Sequence, residues 1–196
     1  MNTFQTIANK SEGLYKEKGS KFIAYAFPIN SVEESKEKLA EVAELHPKAR
    51  HICTALLIGQ GDNEYFLAND DGEPANSAGA PILGQIRSYG LTNVFVAVVR
   101  YFGGTKLGIG GLIHAYKTAT ADAFENNKVI TVEPTFSFSF EVGYEMLGEI
   151  LSVIDRNNLK AEQEHKSKTA RIRIVCKEDE LEMTKSLFGK YDLEFS

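Results

Sequence analysis

Val94-Phe95-Val96-Ala97-Val98-Val99 is an unbroken apolar run. A strand with one face in water alternates apolar and polar residues, whereas one covered on both faces does not. Residues 93–101 are therefore predicted as a central, doubly covered strand. Before it, 21–27 reads as a strand closed by Pro28. Ser31 and Glu34 form a capping-box signature. Val32, Ser35, Leu39, Val42 and Ala43 then recur at helical spacing until Pro47. Residues 51–58 and 64–68 read as strands joined by a hairpin-like turn at 59–63. A polar loop follows at 69–76, then a helix over 77–89 carrying Ile82, Ile86 and Tyr89 on one side. Beyond Gly103-Gly104 a small-residue helix is predicted over about 108–126, and a short strand over 129–132.

Pro134 disfavours helix at Glu133 and marks a seam, so the chain is read as two domains, 1–133 and 134–196. The second is regular. Phe136, Phe138, Phe140 and Val142 alternate with polar residues, as a half-buried strand requires. A helix over 144–157 carries Leu147, Ile150, Leu151 and Ile154. Strands at 159–165 and 170–176, a helix at 178–190 and a last strand at 191–195 complete a β-α-β-β-α-β order, that of a ferredoxin-like domain. The fold class is α+β in two domains.

Charge sharpens the picture. The chain is acidic overall, with a net charge of −5, which argues against a uniformly basic nucleic-acid coat but not against a local basic face. Between Pro74 and Ala121 there are 48 residues without Asp or Glu, yet they hold Arg87, Arg100, Lys106, Lys117 and His114. Such a run implies a local positive field. Cys53 and Cys176 lie in apolar strand contexts and read as buried free thiols. With no apolar stretch of membrane-spanning length and no signal-peptide pattern, a cytoplasmic location without membrane contact is expected.

The candidate chemistry centres on Arg100-Tyr101-Phe102-Gly103-Gly104-Thr105-Lys106, where a buried strand enters a glycine turn and a helix begins just beyond. Glycines there let backbone N–H groups face outward, and a helix N-terminus favours anions. The spacing is neither a P-loop nor a dinucleotide fingerprint. The anion- or nucleic-acid-binding set is Arg100, Tyr101, Gly103, Gly104, Thr105, Lys106, His114 and Lys117, with Tyr101 and Phe102 weighed as stacking rings and Phe102 expected in the core. Asp70-Asp71-Gly72-Glu73 lacks calcium-loop spacing and reads as a solvated turn, with a second reading in which the acids position the basic glycine turn. Ser77 and Thr105 read as helix-start residues. No metal spacing, cofactor motif or nucleophile-base set is found, so the enzyme reading is left open, leaning against.

The words Lys18-Gly19-Ser20-Lys21-Phe22-Ile23-Ala24, Asp70-Asp71-Gly72-Glu73-Pro74, Ala78-Gly79-Ala80-Pro81-Ile82-Leu83 and Val98 through Gly108, with Gly110-Gly111-Leu112 and Ala115-Tyr116, closely resemble the IMPACT/YigZ family. The resemblance spans essentially the whole chain. It implies an N-terminal domain similar to domain IV of elongation factor G and to a ribosomal-protein domain, and a ferredoxin-like C-terminal domain similar to domain V. For the family it implies nucleic-acid binding, and for its eukaryotic members translational control under stress. The sequence departs from the family at His114, where Arg is usual, and at Asn76-Ser77, where Gly-Thr is usual. A translation-linked protein that binds RNA or the ribosome through the basic glycine-rich surface is the leading expectation. A protein-interaction regulator without nucleic acid, or an enzyme on a phosphorylated small molecule, stays open beside it.

Overall fold

In the computed structural model, which describes residues 3–196, the unit Phe4–Val132 runs β1 (Phe4–Ile7), β2 (Ser11–Glu17), β3 (Ser20–Pro28), α1 (Val32–Leu45), β4 (His51–Ile58), β5 (Tyr65–Asn69), α2 (Gly79–Ser88), β6 (Val94–Tyr101), α3 (Gly108–Glu125) and β7 (Val129–Val132). Five strands form one antiparallel sheet in the order β2-β3-β6-β4-β5, and β1 pairs with β7 in a separate ribbon. The apolar run of β6 is explained by cover on both sides. Val94, Val96 and Val98 pack with Ile82 and Ile86 of α2 and Ala115 and Tyr116 of α3. Phe95, Ala97 and Val99 pack on the other face with Val42 of α1 and Phe27.

Two strands were not anticipated. β1 is only four residues long. β2 buries Ser11 and Gly13 instead of large apolar groups, because α3 passes close above it. The Ser11 hydroxyl donates to the Ala123 carbonyl at 2.7 Å and the Leu14 N–H to Asp122 Oδ2 at 2.8 Å. At the start of α1, Ser31 Oγ accepts from the Glu34 N–H at 3.2 Å, but the Glu34 carboxylate reaches the Asn30 N–H, one residue earlier than in a capping box.

The unit Glu133–Ser196 runs β8 (Thr135–Gly143), α4 (Tyr144–Arg156), β9 (Lys160–His165), β10 (Thr169–Lys177) and α5 (Leu181–Ser186). Its antiparallel sheet has the order β8-β10-β9. Phe138, Phe140, Ile172 and Ile174 form the inner face against Ile150 and Ile154 of α4. The expected last strand at 191–195 is absent as regular structure. Asp192 turns the chain at a left-handed φ of 47°, and only Ser196 meets the β8 edge, exchanging two 2.8 Å backbone bonds with Ser139. The helix expected over 178–190 is α only at Leu181–Ser186, flanked by 3-10 turns. Both cysteines are buried and free. Among the described residues no helix is long and apolar enough to cross a membrane.

α2 begins at Gly79, not at Ser77, whose hydroxyl donates back to the Pro74 carbonyl. Its orphan N–H groups are met from a distance instead. The Asp70 carboxylate accepts from the N–H groups of Asn76 (2.7 Å), Ala78 (2.9 Å) and Gly79 (2.8 Å). Burial by itself would raise the Asp70 pKa, yet these three bonds to the charged form outweigh it and hold the carboxyl below its ordinary value. A lowered folded value means that the contribution is full above the unfolded value near pH 4 and is lost as pH falls through the folded value. Asp70→Ala is expected to lower stability by about 1–2 kcal/mol at neutral pH and to flatten this part of the acid limb. Chemical denaturation from pH 7 to pH 2 checks it, and an unchanged acid limb would contradict the assignment.

Candidate functional site

Consecutive residues of a strand face opposite sides of the sheet, and this separates Arg100 from Tyr101. Arg100 turns toward α3 and is only 10% exposed. Its Nη1 lies 2.6 and 2.8 Å from the two oxygens of Glu73, itself buried. The guanidinium sits 5.6 Å from both the Phe22 and Phe102 ring centroids, and its Nε has no acceptor. Tyr116 of α3 donates its hydroxyl to Glu73 at 2.9 Å, and Cys53 Sγ lies 3.2 Å from that hydroxyl and 3.0 Å from the Asp70 carbonyl. Burial pushes the Cys53 thiol up to about 12 and raises Tyr116 above its ordinary value. Neither is a nucleophile at neutral pH. Arg100 is thus a structural cation, not a free phosphate ligand.

The acidic loop is a turn with Asp71 and Gly72 exposed, but its carboxylates are not left to water. Asp70 caps α2, Asp71 Oδ2 accepts from the Ile52 N–H at 2.6 Å, and Glu73 holds Arg100. The reading in which these acids position the glycine turn fits this geometry: Glu73 fixes Arg100, the last residue but one of β6. Among the described residues no cluster of His, Cys, Asp and Glu is placed to hold a metal ion.

Tyr101 faces the α1 side. Its hydroxyl lies 2.8 Å from His46 Nδ1, and the Tyr25 hydroxyl lies 2.7 Å from His46 Nε2. Burial chiefly, then Lys21, holds His46 below its ordinary value against an opposing pull from Glu12. The neighbouring hollow of about 390 Å³ contains Glu12 and Asp122 as well as Lys21, a mixed lining unsuited to a polyanion.

The glycine turn itself is exposed from Phe102 through Lys106. A Cβ on Gly103 would come within 1.8 Å of the Gly19 carbonyl carbon, so this glycine lets the β2–β3 turn close on the loop; its N–H donates to Ser20 Oγ at 3.1 Å. Gly104, at a φ of 91°, faces open space. α3 begins without a side-chain cap, Thr105 providing none. Lys106 is exposed beside this start. His114 is exposed and edge-on to Tyr15 at 5.4 Å. Lys117 is exposed about 13 Å along α3 from its first turn, at 1.5 Å per residue. The eight predicted residues therefore do not converge: Gly103, Gly104, Thr105 and Lys106 form one exposed loop, while Arg100 lies beneath it, Tyr101 across the sheet, and His114 and Lys117 up the helix.

The acid-free segment is also less positive than its composition implies, because acids from outside it neutralise two cations. Arg87 pairs with Glu64 at 2.6 Å, as Arg100 does with Glu73. The free cations come from elsewhere. The register Lys16↔Lys21↔Tyr101, with His51↔Arg100, brings the end of β2, the start of β3, the end of β6 and the start of β4 to one end of the sheet. Lys16, Lys18 and Lys21 of the hairpin, Lys48 and Arg50 before β4, and Lys106 all lie there exposed. No ion pair involves any of them among the described residues. Of the acids at that end, Glu73 is buried against Arg100, Asp70 and exposed Asp71 are held by backbone N–H groups, and half-buried Glu17 accepts from the Tyr15 hydroxyl at 3.3 Å. Sequence reasoning missed the hairpin and β4 cations as site residues, for they are joined only by strand pairing.

A glycine loop held by a buried Arg–Glu pair, on an antiparallel sheet with helices on both faces, defines a class of α+β domain with an exposed basic end. Residues 18–124 match the Impact N-terminal domain, and the chain belongs to the IMPACT family. It is 28% identical over 199 aligned residues to the IMPACT family member YvyE of Bacillus subtilis, covering 99% of this chain and 91% of that protein. It is 35% identical to the IMPACT family member YigZ of Escherichia coli across 70% of this chain and 68% of that one. A crystal structure of a hypothetical protein, 27% identical, aligns with 100% of this chain and 97% of its own at a TM-score of 0.74.

Breaking a buried ion pair leaves the surviving charge uncompensated. Glu73→Ala is expected to cost roughly 3–5 kcal/mol, and the double substitution Glu73→Gln with Arg100→Met to recover most of that loss. Urea unfolding of the wild type and the two variants checks it, and wild-type stability in Glu73→Ala would remove the pair from its organising role.

Proposed function

We propose that this protein is a translation-linked regulator that binds RNA or the ribosome in the cytoplasm through the basic end of its five-stranded sheet. Family membership supports the process, through the translational role that the resemblance assigns to the eukaryotic members. The exposed, unpaired cations support the ligand: Lys16, Lys18, Lys21, Lys48, Arg50 and Lys106 lie at the end of the sheet that carries the exposed Gly103-Gly104-Thr105 loop. Phosphate chains are bound by such clusters with release of counterions, so affinity falls with salt. His114 and Lys117 extend the surface along α3.

One observation favours a second reading as a protein-interaction module. Edge strand β5 leaves Tyr65, Phe66 and Leu67 close to half exposed, and an unguarded edge invites another strand. A complex with a protein partner that survives nuclease treatment would favour it over the first reading.

Fluorescence anisotropy with labelled RNA at several salt concentrations tests the first reading. Lys18→Ala and Lys106→Ala are each expected to weaken binding and to reduce the slope of log K against log salt by about 0.7, the value for one single-strand phosphate contact. Arg100→Ala, in contrast, is expected to act through stability. Absence of binding at low salt, or binding indifferent to salt, would refute the proposal.

A further inference from the structure

The basic end carries one feature that attraction to phosphate does not explain. Phe102 follows a strand whose apolar residues are all buried, yet it is 58% exposed. Its position is nonetheless restrained. The Arg100 guanidinium lies 5.6 Å from its centroid, and Arg100 is fixed by two bonds to Glu73 and stacked 5.6 Å from Phe22. On its other side in the chain, Gly103 is pinned by the β2–β3 turn through the bond to Ser20. A phenyl ring is thus held between a packed arginine and a packed glycine with more than half its area in water. Other exposed aromatic rings sit elsewhere: Tyr65 and Phe66 pair with Ile58 and Leu57, at the opposite end of the sheet from Tyr101, and Phe136, Tyr144 and Phe195 belong to the C-terminal unit. Phe102 alone among these stands one residue from the Gly103 contact with the Lys18-Gly19 turn and four residues before exposed Lys106.

An aromatic ring set among unpaired cations fits a ligand with flat apolar faces alternating with negative charges, which is the chemistry of a single-stranded nucleic acid. A duplex hides its base faces in its own stack and offers phosphates, sugars and base edges but no free ring face. We infer that Phe102 is a base-stacking platform and that the ligand of the basic end is single-stranded nucleic acid, with one base on the ring and flanking phosphates on the Lys18 turn and Lys106. The inference rests on the polyanion reading of this surface given above and specifies its ligand.

Anisotropy titrations of the full chain with an unstructured single-stranded RNA, a single-stranded DNA of the same sequence and a duplex RNA, at low salt, test it. Phe102→Ala is expected to weaken binding of either single strand about 5- to 150-fold. Phe102→Tyr, which keeps the ring, should stay within about twofold of wild type, since stacking tolerates any aromatic face. The salt slope should not change in either variant, because no phosphate contact is lost, and duplex binding should be unaffected. Phe102→Leu keeps an apolar side chain without a ring; if Phe102→Ala is unfolded by circular dichroism, the Leu-to-Tyr contrast gives the same reading. Wild-type affinity in the ring-less variants, with weakened Lys18→Ala and Lys106→Ala, would overturn the stacking inference and leave the polyanion reading standing. Equal losses for single strand and duplex would also overturn it. No binding of any oligonucleotide to the wild-type chain at low salt would overturn both.

Discussion

The N-terminal unit is organised around a charge pair kept from water. Glu73 and Arg100 come from a loop and a strand end 27 positions apart, and their contact is buried. Such a pair is weak evidence for stability in itself, since desolvation offsets much of the attraction. Its effect here is positional. Glu73 also accepts from Tyr116, so the pair ties the acidic loop, the end of β6 and the middle of α3 together, with Cys53 of β4 beneath. Remove one member and three elements lose their mutual reference at the point where the exposed loop begins.

From that anchor outward the architecture separates structural from free charge. Each acid of Asp70-Asp71-Glu73 is bound within the unit, to the N-terminus of α2, to the backbone of β4 and to Arg100. The cations of the hairpin, the α1–β4 connection and the glycine turn have no such partners and face water. A chain that is acidic in total therefore gathers exposed, unpaired cations at one end, where Asp70 and Asp71 are held by backbone N–H groups and Glu73 by Arg100. Gly103 contributes by letting the hairpin turn approach backbone to backbone, which brings Lys18 toward the loop that carries Lys106.

What could be read in the sequence follows from what each element buries. β6 was legible because cover on both faces demands a continuous apolar run, and β8 because cover on one face demands alternation. β2 was illegible because its inward positions are Ser11 and Gly13, small enough for α3 to pass but silent in hydrophobicity. The glycine turn was recognisable, yet the cations assigned to it were chosen by closeness in sequence. Strand pairing substitutes Lys16, Lys18, Lys21 and Arg50 for Arg87 and Arg100, whose acidic partners lie outside the acid-free run. Phe102 was expected in the core because it follows buried residues; cover ends with the strand, one residue too early to hide it.

The imidazole of His46 has a consequence of its own. Burial keeps it neutral at ordinary pH, and a neutral ring has one N–H and one lone pair. Because a tyrosine hydroxyl meets each nitrogen, one phenol must give its hydrogen to the ring while the other receives one. The two phenols are therefore oriented as a set, and neither can reverse unless the ring shifts its proton and the other reverses too. The end of α1 is in this way keyed to β3 and β6 by a directional three-member relay, in which the sense of one hydroxyl on Tyr25 is recorded in the sense of another on Tyr101.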